Sequence, residues 1–168
     1  PATPGQPTKL PLLIPFPVAF LSPSGEEMPV QLACEDEAPL PGTRMFELTQ
    51  EHTELVFGGL AVKPAVSLNR GFAAPVILDQ GLSDEELAFL ARHETDPFNR
   101  WDAMNRLLIN AVHTQTRAKL LRTPEEVSPL VITAALEVLK NPDLSPAFKA
   151  AALSLPSEKL VAEEDPLI

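Results

Sequence analysis

The chain has 168 residues, 45% hydrophobic and 21% charged, which suffices for one ordinary hydrophobic core or two small ones without a disulfide or metal. Its 23 acidic residues and 13 Lys and Arg residues give a formal net charge of −10, a surface that repels duplex nucleic acid and anionic membranes. No apolar run approaches the ~20 residues that a membrane helix needs. We therefore expect neither a nucleic-acid partner nor a membrane partner.

The single cysteine and the two termini indicate the setting of the chain. Cys34 has no second cysteine with which to form a disulfide. A lone cysteine is compatible with a reducing compartment, and we expect a cytoplasmic location. The chain starts with proline and ends in a short acidic and apolar stretch. We interpret it as a piece of a longer polypeptide.

Proline content and hydrophobic periodicity divide the chain into two predicted domains, 1–79 and 80–168. The first range holds most of the 19 prolines and short stretches of period two, whereas the second holds long stretches of period 3.6. The pattern predicts an all-β module, an antiparallel β-sandwich, followed by an all-α module of solenoid-like helices.

The first module is predicted to consist of short strands. Within 10–21 every second residue is apolar and prolines occupy the other parity, which predicts an edge strand with one buried face. The apolar positions are Leu12, Ile14, Phe16, Val18 and Phe20. A turn is expected at 22–25. Further strand candidates are 30–33, 44–49, 54–57, 65–69 and 74–78.

The second module is predicted to consist of consecutive helices. Ser83 and Glu86 have the spacing of a capping box, and Pro97–Leu121 is expected to form the longest helix. Further helix starts are expected at Thr123, Ser128, Ser145 and Ser157. The expected buried positions are Leu87, Leu90 and Ala91; Trp101, Met104, Leu108, Ala111 and Val112; Ile132, Ala135, Leu136 and Leu139; and Phe148, Ala152 and Leu155.

No catalytic, cofactor-binding or metal-binding residue is predicted in this chain. His52, His93 and His113 lie far apart and form no H-E-x-x-H motif, so a zinc site built from all three is only the alternative. Cys34 precedes the acidic stretch 35–37, whose charges would raise the pKa of the thiol and weaken it as a nucleophile. We expect that stretch to be a solvated loop. A Gly-rich phosphate-binding motif is also absent from the sequence.

Three segments resemble bacterial aminopeptidase N, in matching order and spacing. Residues 63–76 read KPAVSLNRGFAAPV, similar to the pattern P-S-L-L-R-G-F-S-A-P-V of that family. Residues 91–103 read ARHETDPFNRWDA, similar to R-H-x-x-D-x-F-x-R-W-[DE]-A, and residues 155–157 read LPS. The resemblance extends from about residue 10 onward. Ala73 stands where the family usually has Ser, which would remove one local hydrogen bond.

The resemblance implies a part of a four-domain zinc metallo-aminopeptidase of the gluzincin type. This chain looks like its small β-sandwich domain and the first helices of its C-terminal helical domain. The family's zinc motif, its G-x-M-E-N motif and its catalytic Tyr lie in the catalytic domain, and no position of this sequence matches them. Zinc would therefore belong to the parent enzyme and not to this chain.

The implied role is structural. The parent would remove N-terminal amino acids from peptides, and the partners of this chain would be the catalytic domain and the remaining helical domain of the same polypeptide. The alternative is a free-standing β-sandwich and helical module that binds another protein without enzymatic activity. A helical domain that continues further would leave an apolar face exposed, expected at Phe148, Leu153, Leu160 and Val161.

Overall fold

The computed structural model describes residues 4–5, 10–36, 38, 41–123 and 126–164. The chain divides into two compact units, Pro1–Ile77 and Leu78–Ile168. The first contains the strands β1 Ile14–Leu21, β2 Glu27–Met28, β3 Arg44–Leu48 and β4 Ala65–Leu68, and a single 3₁₀ turn, Arg70–Phe72. The second contains the helices α1 Asp84–His93, α2 Pro97–Leu121, α3 Pro129–Lys140, α4 Pro146–Ala152 and α5 Glu158–Glu164.

Strand β1 organises the first unit, because β2, β3 and β4 all pair with it in antiparallel orientation. Phe16 lies opposite Phe46 of β3, and Val18 lies opposite Leu68 of β4. The predicted turn at 22–25 is confirmed: the Gly25 N–H donates to the Ser22 carbonyl at 2.8 Å. The antiparallel sheet agrees with the predicted all-β module.

Residues 10–21 were predicted to form an edge strand with one buried face. This prediction is wrong for the second half of the strand. Strand β1 starts at Ile14, and Leu12 is 79% exposed. Residues 14–18 pair with β3 and residues 18–21 pair with β4, while all residues from 17 to 21 are buried. Pro15 lies in the half where β3 is the only partner among the described residues, the position that a residue without an N–H tolerates.

One hydrophobic cluster of the first unit contains Val18 and Phe20 of β1. Phe20 and Phe46 each contact the Phe57 ring edge to face, with centroid distances of 4.8 and 5.8 Å. Val18 and Val30 complete the buried cluster. The apolar parity predicted for 16, 18 and 20 therefore identifies the residues that enter this core.

Two other strand predictions are confirmed and three are wrong. Strands β3 and β4 occur within 44–49 and 65–69, as predicted. Segments 30–33 and 54–57 form no strands and meet at one bridge, where the Ala33 N–H donates to the Val56 carbonyl at 2.8 Å. A Cβ at Gly58 would lie 3.3 Å from the Ala33 Cα, a tight contact that a side chain could take only if the neighbouring backbone shifted slightly. Segment 74–78 is irregular, and β2 was not predicted.

Helix boundaries agree closely with the predicted caps. Ser83 and Glu86 form the expected capping box, and α2 spans Pro97–Leu121 as predicted. Ser128 and Ser145 cap α3 and α4 through their side chains. The helix start predicted at Thr123 is wrong, because residues 126–128 are not helical; residues 124 and 125, and the stop predicted at 165–166, lie outside the described ranges.

The buried faces agree less well with prediction. In α3 the buried residues are Val131, Ala134 and Val138. The predicted residues Ile132, Leu136 and Leu139 are instead 50%, 45% and 53% exposed. In α2, Met104 and Leu108 are buried as predicted, whereas Trp101, Ala111 and Val112 are half-buried and Leu107 and Ile109 are the further core residues.

The α4–α5 region also departs from prediction. Ala152 is buried as expected, but Phe148 is half-buried and Leu155 is 72% exposed. The apolar face expected to be open there is largely covered, since Val161 is 7% exposed and Phe148, Leu153 and Leu160 are half-buried. Apart from Leu155, the exposed large apolar residues of this unit therefore lie in α2, just before α3 and in α3.

Candidate functional site

The first candidate is the loop 69–74, within the segment that resembles the aminopeptidase pattern. Asn69, Gly71 and Phe72 have φ values of 53°, 65° and 51°, in the left-handed region that ordinary residues avoid. The buried Asn69 amide donates to the Ala74 carbonyl at 2.9 Å, and its oxygen accepts from the Ala74 N–H at 3.0 Å. These two bonds fix the unusual backbone.

Arg70 links this loop to the rest of its unit. Its side chain is 7% exposed, and its Nη1 donates to Glu27 Oε1 at 2.9 Å and to Thr43 Oγ1 at 2.6 Å. Glu27 belongs to β2, and Thr43 directly precedes β3. A buried guanidinium that connects two strands in this way stabilises the fold.

The second candidate is the corner between α1 and α2, residues 94–100. Glu94 is fully buried at the C-terminus of α1, and its Oε1 accepts from the Asp96 N–H at 2.8 Å. Asp96 caps α2 by accepting from the Asn99 N–H at 2.9 Å, and Arg100 Nη2 donates to the Arg92 carbonyl at 3.0 Å. Burial lowers the pKa of Arg100, and the Glu94 carboxylate partly opposes this effect.

The acidic stretch after Cys34 is not simply a solvated loop, because Glu35 forms an ion pair with Arg44. The Arg44 side-chain hydrogen bond, with a further one from the Leu32 N–H, lowers the pKa of Glu35 to about 2. Arg44 also donates to the Val30 carbonyl at 3.2 Å. This pair therefore ties the loop to β3, while Cys34 itself is exposed.

The three histidines, the alternative zinc ligands, have different surroundings. His93 packs its ring on Phe89 at 4.7 Å, and burial and then the neighbouring Arg92 charge lower its pKa. His113 Nε2 donates to the Val161 carbonyl at 3.0 Å, and His52 is exposed in the other unit. Across the described parts of the chain, no three His, Cys, Asp or Glu side chains group so as to hold a metal ion.

A groove in the second unit is the remaining candidate, and sequence reasoning did not identify it. Its volume is about 320 Å³, and its walls come from α2, the start of α3 and the segment after α4. The apolar lining is Leu108, Ala111, Val112, Val127, Val131 and Leu155. Gln115, Thr116 and Lys119 of α2 supply its polar groups. A mostly apolar lining of this kind is suited to binding an apolar side chain and offers few groups for catalysis.

Membrane insertion finds no support in the helices. Among the residues that the structure describes, none of the helices combines the length and the apolar character needed to cross a membrane.

Comparison with known proteins identifies both units. A family model described as a domain of unknown function (DUF3458) with an Ig-like fold matches residues 1–81. A second, described as a domain of unknown function (DUF3458_C) with ARM repeats, matches residues 84–166. The chain thus combines an Ig-like β domain with an ARM-repeat helical domain, which confirms the predicted fold class.

The curated relatives share one name. Aminopeptidase N of Escherichia coli (strain K12) is 33% identical over 163 residues, and that of Caulobacter vibrioides is 32% identical over 130 residues. These alignments cover 97% and 77% of this chain. The chain is similar to a part of aminopeptidase N, which confirms the resemblance. It spans 18% and 15% of the length of these two relatives.

A solved structure has the same fold. The crystal structure of Legionella pneumophila aminopeptidase A in complex with aspartic acid matches with a TM-score of 0.71 at 23% identity. The match covers 91% of this chain and 16% of that chain. At this identity the likeness establishes the arrangement of the backbone.

Proposed function

We propose that this chain is a non-catalytic structural part of an aminopeptidase N. The observation that carries the proposal is the alignment of 97% of the chain, both units in one order, with 18% of the length of the E. coli aminopeptidase N. The parent enzyme would remove N-terminal amino acids from peptides by zinc-dependent hydrolysis. The zinc ligands and catalytic residues would lie in the regions of the polypeptide that this chain does not cover.

The contacts of the two motif segments support a structural role. Asn69 and Arg70 hold a strained loop and two strands of the Ig-like unit together. Glu94 and Arg100 hold the corner between the first two helices of the second unit. Arg70 and Arg100, which match the family patterns, thus make internal contacts within their own units, together with their neighbours Asn69 and Glu94.

The proposal also specifies the partners, the cofactor and the location. The partners are the catalytic domain and the remaining helical domain of the same polypeptide, with peptide substrates bound by the parent only. This chain would hold no catalytic, cofactor-binding or metal-binding residue, and zinc would be bound by the parent. The parent would act in the cytoplasm. The domain limits 1–79 and 80–168 are part of the same proposal.

Hydrolysis and zinc content test the proposal together. Turnover of an alanyl arylamide and bound zinc are measured on the purified 168-residue chain and on the full-length polypeptide. We expect chelator-sensitive turnover and stoichiometric zinc in the full-length polypeptide, and neither in the chain. Stoichiometric zinc with chelator-sensitive turnover in the chain would refute the proposal. In that case the variants His52→Ala, His93→Ala and His113→Ala would identify the ligands.

A free-standing interaction module is the second candidate, favoured by the apolar groove and by the exposed residues of α3. The size of the natural protein distinguishes the two candidates. An immunoblot of source cells with an antibody against this chain should detect a polypeptide several-fold larger if the chain is part of an aminopeptidase. A band at 18.2 kDa alone would favour the free module.

A further inference from the structure

The groove of the second unit combines a buried apolar floor with exposed apolar edges. Leu108 of α2 and Val131 of α3 are buried, whereas Val127 and Leu155 are exposed. The volume of about 320 Å³ lies at the lower end of the range for small-molecule sites. A ligand of modest size would therefore transfer apolar atoms out of water in this groove.

The polar side chains of this groove all belong to α2. Gln115 and Thr116 lie four and three residues before Lys119, a spacing that places all three on one side of the helix. Among the described residues that line the groove, Lys119 carries the only charge. The groove thus provides one cation and two neutral polar side chains beside a lining that is otherwise apolar.

The part of α2 that lines the groove is basic, although the chain as a whole has a net charge of −10. Residues 103–122 include four Lys and Arg residues and no Asp or Glu. Arg117 and Arg122 are exposed and lie two and three residues from Lys119. Two acidic residues follow, at 125 and 126, so the stretch 103–126 retains a net charge of +2. The local charge therefore favours an anionic group over a cationic one at this end of the groove.

A ligand that matches these groups has one anionic end and an otherwise apolar body. A peptide matches them less well, because its backbone N–H and C=O groups would lose water against apolar walls without gaining hydrogen bonds. A linear alkyl tail has no such groups.

We propose that the groove binds a medium-chain fatty carboxylate, with the alkyl tail along the apolar lining and the carboxylate beside the Lys119 ammonium. The inference goes beyond the proposed function and does not depend on it, because every lining residue belongs to the second unit.

The length of the alkyl tail tests the apolar part of the proposal. Isothermal titration calorimetry measures the binding of hexanoate, octanoate and decanoate, each below its aggregation concentration, to the 168-residue chain and to the full-length polypeptide. Each further methylene that leaves water should tighten binding about fourfold until the groove is filled. Octanoate and decanoate should compete for one site in both proteins.

Lys119→Met tests the anionic end, because methionine keeps an unbranched apolar side chain without the charge. The variant should bind octanoate about three- to fivefold more weakly, the upper range for an exposed charge pair, and should bind 1-octanol as the wild type does. Lys140→Met is the matched control, since Lys140 is exposed on α3 and does not line the groove.

Leu155→Ala tests the position of the alkyl tail. Leu155 is exposed at the edge of the groove, so the substitution should weaken octanoate and 1-octanol binding to the same extent without unfolding the unit. Leu120→Ala is the matched control, because Leu120 is exposed on α2 and is not part of the lining.

Four results would overturn the proposal. The first is the absence of saturable octanoate and decanoate binding to the 168-residue chain. The second is octanoate binding that Lys119→Met leaves unchanged or weakens no more than 1-octanol binding. The third is tighter binding of the peptide acetyl-Leu-Leu than of octanoate, which would assign the groove to a peptide. The fourth is binding to the 168-residue chain but not to the full-length polypeptide, which would mean that another segment occupies the groove.

Discussion

Replacing Glu94 by alanine should destabilise the helical unit at the corner between α1 and α2. Glu94 is fully buried, its Oε1 accepts the Asp96 N–H at 2.8 Å, and its charge faces the guanidinium of Arg100. The substitution removes the acceptor of a hydrogen bond at the start of α2 and a carboxylate charge that opposes the effect of burial on Arg100. Both losses fall on the residues that set the turn between the two helices.

The magnitude follows from these contacts. A hydrogen bond to a charged acceptor contributes about 1.5–3 kcal/mol. Arg100 also loses the opposing charge of the Glu94 carboxylate, but it is half-buried and regains part of its hydration, so this loss adds at most about 1 kcal/mol. We expect Glu94→Ala to lower the free energy of unfolding by about 2–4 kcal/mol. Glu94→Gln should lose about half as much, because its amide oxygen can still accept the Asp96 N–H.

Equilibrium unfolding in urea, followed by the fluorescence of Trp101, measures this difference. Trp101 is the only tryptophan, and its ring lies 5.8 Å from that of Phe98, so its emission reports on the same corner. Glu126→Ala is the matched control, because Glu126 is exposed in the same unit. The slope of the transition should not change if only stability is altered.

The reasoning would be refuted if Glu94→Ala stayed within about 0.5 kcal/mol of the wild type and of the control, the usual range of surface substitutions. A large loss in Glu94→Gln equal to that in the alanine variant would show that the charge, and not the hydrogen bond, dominates. Either result would require a different account of the corner.

The remaining predictions concern three local contacts. Ser83→Ala should lower the free energy of unfolding by about 1 kcal/mol through loss of the α1 cap, and an unchanged urea midpoint would contradict the observed capping. Asn69→Ala should cost about 2–3 kcal/mol in scanning calorimetry, because it loses both bonds to Ala74, and Asn69→Gly should recover about 1 kcal/mol since glycine adopts the left-handed backbone freely. Because pairing with Arg44 lowers the pKa of Glu35 to about 2 from 4.5, its stabilisation is present above pH 4.5 and is lost as the pH falls towards 2. The stability difference between the wild type and Glu35→Gln should therefore shrink across that range, and a difference independent of pH would contradict the ion pair.

Strand β1 shows which features of a strand can be predicted from hydrophobic periodicity. The alternation of apolar residues identified Phe16, Val18 and Phe20 as core residues, because side chains of a strand point to alternate faces. The prolines suggested an edge strand, yet only the first half of β1 has that character. Whether β4 covers the second half depends on a pairing between residues 18–21 and 65–68, which no local pattern encodes.

The sequence predicted only those parts of the candidate sites whose contacts join residues close together in the chain. The segments 63–76 and 91–103 were recognised from their residue types, whereas the role of Arg70 was not. Its partner Glu27 lies 43 residues away, and the Glu35–Arg44 pair likewise depends on how the loop after Cys34 meets β3. Long-range polar pairs of this kind leave no periodic signal in a sequence.

The sequence by itself determined the order of the two modules and most helix boundaries. Capping depends on a few neighbouring residues, so Ser83, Ser128 and Ser145 specified where α1, α3 and α4 begin. The tertiary structure decided which face of α3 is buried. Val131, Ala134 and Val138 form one apolar row and Ile132, Leu136 and Leu139 form another, and both have helical spacing. The positions of α1 and α2 select between them, because burial depends on the packed neighbours and not on the helix itself.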